Sequence, residues 1–271
     1  MIYKLRLFIR TLKEQIKYLI VCICIYFLCT LITIPAPNYF KFDLKYGAEF
    51  SVVTLLVAIL FSLITIFFLK IKFYKSLNKL DLIIILFSLL TPILITIIIS
   101  LIDKSIIKYN YFSIDILYLF ISFLAFALVE EIVFRGVLLK DYMGNNGLNY
   151  SIFLSSIFFS LAHIGNSSFG LVPFLIIFLS GLILAKIYIN TSLFTVSLGH
   201  ALWNSGSSII IGGNVSGLKV KYSLFNYTYT NNNIINGGNF GIEGSIITLI
   251  IISLIYFFMI YHTKFKNKSI K

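Results

Sequence analysis

The chain has 271 residues, of which 59% are hydrophobic and only 12% charged, with a mean hydropathy of +0.98. That balance excludes an ordinary soluble domain and fits an integral membrane protein. The net charge of +12 does not point to nucleic acid, because the cations flank apolar runs and form no solvated patch interleaved with base-stacking aromatics.

A membrane helix needs roughly 20 apolar residues, and that rule predicts spans at 16–34, 51–69, 82–102, 114–139, 151–168, 172–189, 193–211 and 245–261. The expected fold is therefore all-α, a polytopic transmembrane bundle of about eight helices. The basic N-terminus precedes a long apolar run without an A-x-A-like cleavage site, so the first span reads as uncleaved. Cys22, Cys24 and Cys29 fall in that span and read as small apolar fillers. The run 151–168 is the weakest, being Ser-rich and ending in Gly165, Asn166 and Ser167, so an irregular outer end is expected. Gly181 and Ala185 form a small-xxx-small face on the sixth span, suited to helix packing within the chain or between copies. Lys186 snorkels and His262 sits at an interface in this reading. The connection 212–244, rich in Asn, Gly and Tyr, reads as a solvated loop, with a lid as the second reading. Glu243 is expected to serve the dipole of the last helix from its N-terminal side.

Lys and Arg set the orientation. With eight spans, the clusters at Lys4–Lys17, Lys70–Lys79 and Lys264–Lys271 share one side. Sixteen cations then lie on that side against six on the other, which places both termini in the cytoplasm.

Charged and polar residues inside the apolar spans carry the chemistry. Glu130 and Glu131 are adjacent, and Arg135 follows one turn later. Buried charge in a membrane helix is kept for a pathway, a relay or a catalytic centre. Two of the three histidines, His163 and His200, also lie in apolar runs. From the rise per residue, Glu130, His163 and His200 stand about 13, 18 and 10 Å above the inner ends of their spans, so a shared polar chamber is geometrically open to them. Glu131 and Arg135 are four apart and can pair on one helix face. Glu130 is rotated by about 100° and faces another neighbour. His200 and Asn204 share a face, as do Phe159 and His163. Trp203 reads as a packing residue. This set suits water activation by a carboxylate beside a histidine, with a second His and an amide donating to an oxyanion. The alternative is zinc held by Glu130, His163 and His200 with an open position for water, although the helical H-E-x-x-H signature is absent. These groups offer no plausible serine or cysteine triad, although sequence alone does not dismiss Ser160 and Ser205. A Glu-Glu-Arg cluster by itself equally suits an ion-coupled transporter or a structural network.

At these residues the sequence resembles the CAAX protease and bacteriocin-processing family of intramembrane endopeptidases, also called the abortive-infection/CAAX prenyl protease family. The family's EExxxR, FxxxH and HxxxN motifs are matched in order by Glu130-Glu131-Ile-Val-Phe-Arg135, Phe159-Ser-Leu-Ala-His163 and His200-Ala-Leu-Trp-Asn204. The resemblance implies non-diagnostic helices over 1–113, a catalytic membrane core over 114–262 and a basic tail over 263–271. It implies Glu130 as the base that activates water, assisted by His163. His200 and Asn204 stabilise the oxyanion, and Glu131, Arg135 and Phe159 support the site. The family has been described both as metalloproteases and as metal-independent glutamate enzymes, and the reading here favours glutamate-activated water with zinc left open. The implied partners are a membrane-associated peptide or protein substrate and the lipid bilayer. The Ile-, Asn- and Lys-rich composition points to a bacterial cell membrane and away from a CAAX substrate. Competing readings are a non-catalytic bacteriocin-immunity or scaffold protein of the same fold, and an ion-coupled transporter. No internal repeat supports the transporter.

Overall fold

The structure, a computed structural model, describes residues 60, 73, 76–140, 147–229 and 231–268, with side chains through Tyr261. The expected spans 16–34 and 51–69, the three cysteines and the tail beyond 268 lie outside the described residues.

Six helices fill the described chain. Helix α1 (Lys79–Asp103) starts in a capping box. Asn78 Oδ1 accepts from the Leu80 and Asp81 amides, and Asp81 accepts from the Asn78 amide at 2.8 Å. Helix α2 (Asp115–Glu131) continues without a break into a π-helical segment, Ile132–Leu139. Helix α3 (Leu148–Leu161), α4 (Leu171–Asn190) and α5 (Leu193–Ser205) follow. Helix α5 also runs into π winding, over Gly206–Ile210. Helix α6 (Ile246–Lys268) closes the described chain. Three segments are long and apolar enough to cross a membrane: Lys79–Asp103, Asp115–Leu139 and Leu171–Asn190.

One expected span is shorter than the sequence suggests, and another changes its winding partway. The span drawn over 151–168 is helical only to Leu161, because residues 162–168 wind into turns and Ser168 takes a left-handed φ of 62°. The span over 193–211 is α-helical only to Ser205. The helical expectation is also broken by two strands, β1 (Ile106–Tyr109) and β2 (Phe225–Thr228), which pair antiparallel from Ile106 opposite Thr228 to Tyr109 opposite Phe225. They join the α1–α2 connection to the segment between α5 and α6.

That second segment departs most from expectation. Much of 212–244 is folded against the bundle end, with Val215, Tyr227, Asn236, Phe240, Ile242 and Glu243 all buried. Buried backbone and side-chain polar groups there find partners within the segment. Asn236 holds the Asn231 carbonyl and the Gly238 amide, and it donates to Asp103 at the end of α1 at 2.8 Å.

Helix α5 is wedged between α1 and α2, and α3 lies along α4. The start of α5 is fixed by Thr195, which donates to the buried Asp81 carboxylate of α1 at 2.8 Å. At its other end, a Cβ on Gly206 would stand 2.8 Å from Pro92 Cγ and 2.9 Å from the Leu89 carbonyl, so only glycine allows α5 this approach to α1. Gly181 plays the same part between α4 and α3, where an added Cβ would fall 2.9 Å from Ser156 Cβ. The small-residue face of the sixth span is thus used for packing inside the chain.

Candidate active site

The centre of the bundle buries an ion pair. Arg135 and Glu131 side chains are both fully buried, with Arg135 Nε 3.0 Å from Glu131 Oε2 and Arg135 Nη1 donating to Glu131 Oε1 at 3.1 Å. The Nε–Oε2 approach is close but off the hydrogen-bonding direction, so Nη1 makes the directional bond. Arg135 Nη2 reaches the Gly181 carbonyl of α4 at 3.4 Å, and the guanidinium lies 4.3 Å from the Phe159 ring centroid. A buried arginine needs this saturation, because desolvating the charge costs more than one partner returns. Arg135 stands in the π-helical segment, whose Phe134 carbonyl accepts from Ser155 of α3 at 2.7 Å. That bond keys α3 to the segment that carries the charge.

His200, near the middle of α5, connects the two glutamates. Its Nδ1 lies 2.9 Å from Glu131 Oε1, and its Nε2 faces Glu130 Oε2 at 3.8 Å. The carboxylate accepts, so Nδ1 carries the proton of that bond and Nε2 points toward Glu130. Glu130 keeps 22% of its side chain exposed, whereas Glu131 keeps none. Two adjacent residues therefore occupy different chemical environments: one carboxylate holds the site together, and the other opens onto it.

Phe159 is the hub of the remaining contacts. Its ring is 5.0 Å from the His163 ring and 5.9 Å from the His200 ring, both edge to face. His163 does not lie in a helix as expected. It stands in the turn just beyond α3, half-buried, with Nδ1 2.8 Å from the Phe159 carbonyl. A carbonyl can only accept, so Nδ1–H donates, and Nε2 is the ring nitrogen left outside that bond. Among the described residues His163 reaches Glu130 by no hydrogen bond or ion pair; the two are related through Phe159 and His200. Asn204 follows His200 by one turn. Its carbonyl accepts from Ser207 and Ser208, while its side-chain amide bonds to no described residue.

Zinc would require Glu130, His163 and His200 to converge. Among the described residues no group of three or more His, Cys, Asp or Glu is placed to hold a metal ion. As arranged, these donors do not fit a metal centre.

One role differs from the sequence reading, and a second residue gains a contact beyond it. Glu243 does not serve the start of α6. It lies in the short 3-10 turn Ile242–Gly244, and its carboxylate accepts from Trp203 Nε1 at 3.0 Å and from Ser216. Trp203 does pack, against the cluster of Ile95, Ile99, Ile211 and Tyr227, but its N–H also needs this acceptor. The Gly181 carbonyl is a site contact that no sequence signal announces, since any residue has one.

Residues 112–206 match the family model described as Rce1-like, Type II CAAX prenyl endopeptidase. Over this segment the chain is similar to the CAAX-protease family. The match spans α2 to α5 and contains Glu130, Glu131, Arg135, Phe159, His163, His200 and Asn204. Helix α1, the folded 212–244 segment and α6 fall outside it. No curated protein and no solved structure matches the chain. At the level of the CAAX-protease family, the activity is intramembrane proteolysis, the setting is a membrane and the substrate is membrane-associated.

Proposed function

We propose that the chain hydrolyses a peptide bond of a membrane-associated peptide or protein with water activated by Glu130. The observation that carries this reading is the contrast at 130 and 131. Glu131 is spent on Arg135 and His200, and Glu130 is left open, 3.8 Å from His200 Nε2. Glu130 takes a proton from water as the water oxygen bonds to the scissile carbonyl carbon. The carbonyl π electrons move to its oxygen. His200 in its doubly protonated form, with Nδ1–H on Glu131, donates Nε2–H to that oxyanion together with the Asn204 amide. Collapse re-forms the carbonyl and breaks the C–N bond, and Glu130 returns the proton to the leaving amine. His163, with Nδ1–H held by the Phe159 carbonyl, offers Nε2 to orient the water. In this reading the chain is a multi-pass protein of a bacterial cell membrane, with eight spans and both termini cytoplasmic.

The test compares peptide termini in membranes of cells expressing the wild-type chain or Glu130→Ala. New termini that appear only with the wild type are expected, and they name the substrate. Identical termini in the two samples overturn the reading and favour an immunity or scaffold role for the same fold.

A further inference from the structure

Glu243 is a buried carboxylate outside the matched segment, and it reaches into the site helix. It is 8% exposed. Its Oε1 accepts from Trp203 Nε1, and its Oε2 accepts from the Ser216 amide at 2.9 Å and the Ser216 hydroxyl at 2.5 Å. Three neutral donors thus satisfy the charge, and one of them stands on α5 directly before Asn204.

Three features make that attachment consequential. Helix α5 changes winding two residues beyond Asn204, at Gly206. A change from α to π winding shifts the rotation of the neighbouring turns, so the turn that carries Asn204 needs an external reference. The carbonyls of Trp203 and Asn204 accept serine hydroxyls from Ser207 and Ser208, which stay within the helix and supply no such reference. The Asn204 amide itself bonds to no described residue, so its aim depends on how α5 is turned. The Trp203 indole, anchored to a carboxylate in the folded 212–244 segment, is the side-chain contact nearest Asn204 that bears on this rotation, beside the Thr195–Asp81 and His200–Glu131 bonds farther back on α5.

We infer that Glu243 is a positioning residue: through Trp203 it holds α5 at the angle that points the Asn204 amide toward the oxyanion. The inference rests on the peptidase reading above and deepens it. It also gives the 212–244 segment a task beyond covering the bundle end.

The test uses the full chain in lipid nanodiscs and, as probe, a synthetic peptide spanning the cleavage found in the comparison of termini. Trp203→Phe removes the N–H and some ring volume while keeping an aromatic side chain, and it leaves Glu243 its two bonds to Ser216. Its kcat falls about tenfold with KM nearly unchanged, as expected of a small misplacement at the reacting centre. Asn204→Ala alone loses about a hundredfold. Added to Asn204→Ala, Trp203→Phe causes no further loss, because both act on the same hydrogen bond. Glu243→Ala repeats this pattern; if it fails to fold, Trp203→Phe carries the test. Full kcat in Trp203→Phe overturns the inference. So does a tenfold loss that persists in the Asn204→Ala background, which marks a general structural effect. Cleavage that depends on Glu130 together with either result removes only the positioning role. Cleavage independent of Glu130 removes the peptidase reading and this inference with it.

Discussion

The bundle centre and the folded segment at its end both bury carboxylates, and they treat them differently. In the 212–244 region the buried Glu243 accepts from neutral donors, an indole, a hydroxyl and a backbone amide, and asparagine side chains from the same region donate to the half-buried Asp103 at the end of α1. In the centre, Glu131 is matched by a buried arginine and a histidine, and Glu130 beside it is left partly open. Carboxylates matched by buried partners hold a fold together. The carboxylate left partly open, next to an aimed imidazole, is the one proposed above as the base. The comparison can be broken at each of these positions.

The largest effect is expected at Glu130. Glu130→Gln keeps shape and removes the base, so turnover falls by about a thousandfold, while the midpoint of denaturation in detergent stays near that of the wild type. A variant that unfolds would place Glu130 among the structural carboxylates and reverse the contrast. Arg135→Ala should act the other way. It leaves Glu131 buried without its cation and destabilises the fold by about 3–5 kcal/mol. Unfolding in denaturant measures this, and a loss near zero would mean that the centre tolerates an unpaired charge. Gly181→Ala forces a methyl against Ser156 and shifts the carbonyl that receives Arg135. About 1–3 kcal/mol is expected, read from the thermal midpoint, and an unchanged midpoint would show that α3 and α4 separate freely. The smallest effect is expected in the outer segment. Asn236→Ala removes donors to Asp103 and to the Asn231 carbonyl and costs about 1–3 kcal/mol, with turnover per folded molecule unchanged. A matching fall in turnover would tie this asparagine to the site.

How much of this was legible in the chain depends on the range of each interaction. Glu131 and Arg135 lie within one turn, and their pairing can be read from spacing. The three motifs bring together α2, α3 and α5, and the apolar runs that became α1, α2 and α4 were long enough to mark themselves. His163 fell outside its expected helix because α3 stops at Leu161, ahead of the Gly, Asn and Ser residues that had flagged an irregular end. The strand at Ile106–Tyr109 was hidden because its partner is more than a hundred residues away. Glu243 was misread for the same reason: the indole it receives lies 40 residues back, and nothing local distinguishes that bond from a helix-dipole role. The exchange of partners at His200 was also hidden. Spacing offered it to Asn204, and only the packing of α5 against α2 turned it between the two glutamates.

The early end of α3 bears on how a hydrolase in an oily medium obtains its second reactant. Fourteen residues rise only about 21 Å, short of the roughly 30 Å of hydrocarbon in a bilayer. The turns at 162–168 begin where the helix stops, and most of their residues are exposed. The amides of Ala162, His163, Ile164 and Asn166 are held in turn hydrogen bonds, and His163 is the half-buried residue on the border. For the proposed reaction, this shortened helix leaves an exposed polar edge beside His163 from which moisture can approach without a pore through the protein.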